Sequence, residues 1–97
     1  MILKNHKTED GRLLVVVIDK SLKGTKHHDG EKQLDFTGDF YDGEECLPDE
    51  AGDSLRNADM LNIAGKETIQ LALEEGLIVK EDVKNIAGVP YAQAVLT

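Results

Sequence analysis

A chain of 97 residues has room for one hydrophobic core and no second one, so a single domain spanning 1–97 is expected, burying roughly 60 to 68% of the surface its unfolded form exposes. Hydrophobic residues are 40% of the chain and charged residues 31%, and the two prolines and nine glycines are scattered, which excludes a disordered or collagen-like polypeptide. A net charge of −8 opposes non-specific binding to DNA, and the one cysteine, Cys46, excludes an intrachain disulfide or a thiolate metal cage.

At the amino end, Met1-Ile2-Leu3 offers three apolar residues before Lys4, against the 7 to 15 or so of a secretory core and the 20 or so of a membrane span. A cytoplasmic, reducing setting and no membrane partner are expected. Residues Met1 to Thr8 and Arg12 to Asp19 read as two strands joined through Glu9-Asp10-Gly11, where Asp-Gly supplies the positive φ of a hairpin turn. The unbroken run Leu13-Leu14-Val15-Val16-Val17-Ile18 predicts a strand covered on both faces. Ser21 to Gly30 reads as turn and loop, and Lys32 to Phe36 as a short strand with Leu34 and Phe36 on one side.

Two helical segments follow. Pro48 suits a first helical position, and Ala51, Leu55 and Ala58 recur at helical spacing, predicting a short helix that Gly52 weakens. A stronger one runs from about Lys66 to Glu75, with Ile69, Ala72, Leu73 and Leu77 on one stripe and Gly76 as its left-handed terminus. Val83 to Ile86 then reads as a strand, Gly88-Val89-Pro90 as a rigid connection, and Tyr91 to Leu96 as the last strand. The order implies an α+β two-layer sandwich: a mixed, mostly antiparallel sheet starting with an N-terminal hairpin, and one to two helices packed on one face.

Charge is segregated along this order. Residues up to Leu34 carry seven Lys or Arg against five acids, and the remainder four against fourteen. Asp35 to Asp53 holds eight acids and no base. Asp39, Asp42, Glu44 and Glu45 are therefore weak metal candidates, although aromatic residues occupy positions that a hand-type calcium loop gives to ligands. The His27-His28 pair, with Asp29, reads more simply as a solvated loop than as a metal site. Cys46 lies among acids that raise a thiol's pKa, which argues for a small apolar filler rather than a nucleophile. No phosphate loop, dinucleotide fingerprint or nucleophile elbow is present, and no cofactor is expected.

Several residues resist explanation as core. Phe40 and Tyr41, half of the four aromatic residues, stand in the acidic segment. Gly88 and Pro90 precede Tyr91 and Gln93, a phenol and an amide that can present hydrogen bonds, though a packed hairpin tyrosine accounts for the same residues. Lys4 and His6 share one side of the first strand by alternation.

At these residues the chain resembles an archaeal family, domain of unknown function 424. The resemblance spans essentially the whole chain and is carried by Lys4-Asn5-His6, Phe40-Tyr41-Asp42-Gly43-Glu44, Asn62-Ile63-Ala64-Gly65, Gly76 and Gly88-Val89-Pro90-Tyr91-Ala92-Gln93. The family's last motif more often looks like Gly-Val-Pro-His-Ala-Gln, and Tyr91 departs from it. The resemblance implies a two-layer α+β sandwich and an archaeal, cytoplasmic source, and it implies no activity.

Three functional classes remain. The first is a non-enzymatic binding module in information processing, meeting a protein or structured RNA of the translation apparatus through Lys4, His6, Phe40, Tyr41, Glu44, Asn62, Gly88, Pro90, Tyr91 and Gln93. The second is a divalent-cation binder using residues 39–45. The third is a small enzyme with His6 as base and Lys4 as anion stabiliser. The binding reading needs the Lys/His edge, the aromatic segment and the carboxy-terminal bend to meet in space.

Overall fold

The computed structural model describes residues 1–97. Strands β1 (Ile2–Lys7) and β2 (Leu13–Ile18) form the expected amino-terminal hairpin, pairing antiparallel from Ile2 opposite Ile18 to Lys7 opposite Leu13. Gly11 adopts φ 84° in the connection. Next come β3 (Lys26–Asp29), β4 (Lys32–Asp35), the two-residue β5 (Glu44–Glu45), α1 (Pro48–Arg56), β6 (Met60–Ala64), α2 (Lys66–Glu74), β7 (Lys84–Ile86) and β8 (Val89–Val95). Six strands make one sheet in the order β5-β1-β2-β6-β8-β7, mixed because β2 and β6 run parallel, while β3 and β4 form a separate hairpin.

Besides the two-residue β5, which no expectation covered, three of these elements differ from the sequence expectation. Residues 26–29, expected as loop, form β3, because pairing with β4 satisfies their backbone groups. Residues 60–64, for which no element was expected, form the strand β6 at the sheet's centre. The connection before the last strand is the pair Ala87-Gly88, with φ 52° and 82°, a two-residue hairpin turn with positive φ at both positions. Val89 and Pro90 thus belong to β8, where Pro90 pairs with Asn85 of the edge strand β7 and needs no donor there.

The apolar run of β2 is covered on both faces from Val15 onward, where Val15, Val16, Val17 and Ile18 are all buried, while Leu13 and Leu14 at its start are only partly so. Val15 and Val17 pack with Leu61, Ile63 and Ala92 beneath Ala51, Leu55, Ile69 and Ala72 of the two helices. Ile18 packs with Ile2, Ala64 and Val89 beneath Leu22 and Phe36, so the β3–β4 hairpin roofs one end of the opposite face. Each large side chain removed from water in this way contributes roughly 1.5–3 kcal/mol.

Helix α2 is closed at both ends by tertiary and local devices. The buried Asp19 carboxylate, at the end of β2, accepts the Glu67 N–H at 3.1 Å, the Thr68 N–H at 2.8 Å and the Thr68 hydroxyl at 2.8 Å. It caps a helix some fifty residues away and satisfies otherwise orphaned donors. At the other end Gly76, with φ 71°, and Leu77 donate back to Leu73 and Ala72 at 3.1 and 3.0 Å, the paired bonds of a left-handed terminus. No helix is long and apolar enough to cross a membrane.

Candidate functional site

Strand alternation puts even-numbered residues of β1, β2 and β6 on the face away from the helices. Register then aligns them across strands: Lys4, Val16, Asn62 and odd-numbered Gln93 form one row, and His6, Leu14, Met60 and Val95 the next. Tyr91 stands in the neighbouring row opposite Ala64.

Onto this face the segment Asp39–Tyr41 folds as one short turn of 3-10 helix. It is held there by the first strand. Lys4 Nζ donates to the Asp39 carbonyl oxygen at 2.5 Å, and His6 Nε2 lies 3.0 Å from the Phe40 carbonyl oxygen. A carbonyl only accepts, so Nε2 carries the proton. The His6 ring stacks on Phe40 with centroids 4.5 Å apart and planes 13° from parallel. Phe40 meets Tyr41 edge-on at 4.9 Å, and Tyr41 meets Phe36 edge-on at the same distance, continuing the aromatic chain into the roof. Burial pushes the Tyr41 phenol above its ordinary pKa, against a smaller opposite pull from the neighbouring Asn62 amide.

The structure therefore gathers Lys4, His6, Phe40, Tyr41, Asn62, Tyr91 and Gln93 on one sheet face. Three other candidates lie elsewhere. Glu44 pairs with Leu3 and belongs to the opposite alternation, while Gly88 and Pro90 flank a separate crevice with Asp19, Ser21 and Gly65 at the ends of β2 and β6. Sequence reasoning did not single out Leu14, Met60 or Val95. These three, with Asn62 and Gln93, line an open groove of about 380 Å³ beyond the aromatic turn, and none of its seven lining residues is charged. Val95 is 69% exposed. The signal available was the alternation of Met60, Asn62 and Ala64, legible only once that segment is known to be a strand.

Chemistry at the other candidates is limited. Asp42 faces Lys23 at 3.4 Å and Glu45 faces Lys20 at 3.1 Å, and no group of three or more His, Cys, Asp or Glu side chains converges to hold a metal ion. His27 Nε2 lies 2.8 Å from the Thr25 hydroxyl. His6 cannot take a proton at Nε2 while donating from it, and the Lys4 ammonium is bonded to the turn, so both side chains anchor the loop. Burial raises the Cys46 thiol pKa, with Glu50 and Glu45 adding to it against the pull of the terminal ammonium.

Comparison with known proteins bears on the same residues. The family model described as "Protein of unknown function (DUF424)" matches residues 6–96. A solved structure, the crystal structure of an uncharacterized conserved protein from Methanopyrus kandleri, is similar at a TM-score of 0.83 and 24% sequence identity, over 96% of this chain and 88% of that one. At that identity the likeness shows the fold alone. Among curated proteins the chain has no match. With the match running from His6 through the last strand, the chain belongs to the DUF424 family of proteins of unknown function.

Proposed function

We propose that this protein is a small binding module that seats a segment of a partner protein on the open half of its sheet face. The observation that carries this reading is the uncharged groove between Leu14, Met60 and Val95, rimmed by the amides of Asn62 and Gln93, on a face whose other half is roofed. An apolar floor with a few convergent polar groups is how small recognition sites are commonly built.

Beside the groove, β7 pairs with β8 only from Val89 to Tyr91, and the short 3-10 turn Lys80–Asp82 that precedes β7 also packs against β8. A protein partner is favoured over RNA because phosphate binding needs several free Lys or Arg groups, and the groove has none.

The test is capture from a cell extract, with the ribosomal fraction as one arm, using the tagged chain and its Val95→Lys variant. The expected result is a protein retained by the unaltered chain, resistant to ribonuclease and lost with Val95→Lys. Retention abolished by ribonuclease would establish an RNA partner instead, and equal retention by both chains would remove the groove from the account.

A further inference from the structure

A second groove, on the helix side of the molecule and away from the sheet face just described, has a different chemistry. It is about 560 Å³ in volume and is lined by the apolar side chains of Met1, Leu47 and Leu71 and by the carboxylates of Glu45, Glu67 and Glu74. Leu47 is 68% exposed. It occupies the position just before α1, where a Ser, Thr, Asp or Asn side chain would cap the helix, and it provides no side-chain cap. Its own N–H is held by the Glu50 carboxylate at 3.0 Å, and its carbonyl oxygen accepts the Ala51 N–H at 3.0 Å, so the backbone presenting this leucine is fixed. A large apolar side chain at a position that local structure would give to a polar one marks a conflict of the kind found at functional surfaces.

The charge around it is one-sided. Residues 44–50 carry Glu44, Glu45, Asp49 and Glu50 and no base, and α2 adds Glu67 and Glu74 on its near side. Within this belt Lys20 pairs with Glu45 at 3.1 Å, and the terminal ammonium of Met1 donates to the Cys46 carbonyl oxygen at 3.3 Å. Glu74 accepts from the Gln70 amide at 3.0 Å, and Glu67 has no cationic partner. A second copy of this chain would set glutamates against glutamates, which like-charge repulsion disfavours.

We infer that this groove docks a basic amphipathic segment of a partner protein, one that inserts a large apolar side chain between Leu47 and Leu71 and sets Lys or Arg against Glu67 and Glu74. Together with the sheet face, it gives the molecule two non-overlapping surfaces, so that one chain joins two partners.

The probe is a synthetic Lys/Leu helix of about 14 residues, near the length at which an isolated helix holds together in water. It is titrated into the full chain by calorimetry and by backbone amide resonances, with a Lys/Ser peptide of equal charge as control. The inference expects resonance shifts confined to residues near 45–48 and 67–74 and slower alkylation of Cys46, which lines the groove. It expects the Lys/Ser peptide, and the Leu47→Ser and Glu67→Lys/Glu74→Lys variants, each to bind roughly tenfold more weakly, equivalent to about 1.4 kcal/mol. Equal binding of the two peptides, undiminished binding by Leu47→Ser, or shifts centred on the sheet face and abolished by Val95→Lys would each overturn it. Val95→Lys leaving the Lys/Leu affinity unchanged separates this result from the fate of the sheet-face reading.

Discussion

His6 and Phe40 are joined twice: their rings stack with centroids 4.5 Å apart, and the His6 Nε2–H donates to the Phe40 carbonyl oxygen at 3.0 Å. One side chain of the first strand thereby holds the aromatic turn against the sheet. Replacing His6 by Ala removes a stacking contact of about 0.5–1.5 kcal/mol and a hydrogen bond of about 1 kcal/mol. The expected outcome is a loss of about 1.5–2.5 kcal/mol in denaturant unfolding, with faster amide exchange confined to 39–43. His6→Phe, which keeps the stack and drops the bond, falls between. Uniform loss of protection across the sheet would contradict the anchoring role.

The Asp19 carboxylate and Gly65 make a second dependent pair. A Cβ at Gly65 would collide with that carboxylate, and Gly65 also holds φ 103°. Gly65→Ala is expected to cost about 2 kcal/mol or more from strain and displacement of the cap. Asp19→Ala removes the cap and strands the buried Thr68 hydroxyl, at about 2–4 kcal/mol. Because the clash needs both side chains, the double variant loses less than the sum, and additivity in a double-mutant cycle would refute the coupling.

Ala87 carries a positive φ of 52° in the turn before β8, a conformation that costs a non-glycine residue about 1–2 kcal/mol. Asn tolerates it better. Ala87→Asn is therefore expected to stabilise the protein by about 0.5–1 kcal/mol, read as a rise in melting temperature, and a fall would show that the strain is absent.

Asp59 should contribute to acid sensitivity, as should Asp10 and Asp35, whose carboxyls Thr8 and Thr37 hold below the ordinary value. The Asp59 carboxylate accepts the Leu13 N–H at 2.8 Å and the Thr97 hydroxyl at 2.7 Å, and these bonds hold its pKa below the ordinary value, with Leu13 contributing most. A depressed folded pKa contributes stability that is fully present above the unfolded value, about 3.9, and is lost as pH falls through the folded one. Asp59→Asn should be less stable than the unaltered chain at neutral pH and should show a shallower loss as the pH falls below about 4. Parallel stability curves for the two chains would exclude Asp59 as a source of the slope.

Much of the architecture was readable from local pattern. The Leu13 to Ile18 run announced a strand covered on both faces, Gly76-Leu77 announced the end of α2, and the alternation of Lys4 and His6 put both on one side. These signals are legible because turn chemistry, periodicity and burial of a continuous apolar run act over a few neighbouring residues. The central strand β6 was not readable. Met60-Leu61-Asn62-Ile63-Ala64 is short, interrupted by an amide and followed directly by a helix, and it becomes a strand through pairing with β2 on one side and β8 on the other. The groove between Leu14, Met60 and Val95 was hidden for the same reason, since it exists only where three strands distant in sequence lie in register. Likewise, nothing near Asp19 in the chain reveals that its carboxylate closes a helix beginning at Lys66. Short-range chemistry sets which segments turn, cap or bury. Which backbone each segment pairs with, and hence which side chains share a surface, is settled by non-local packing, whose free energy no stretch of the chain contains alone.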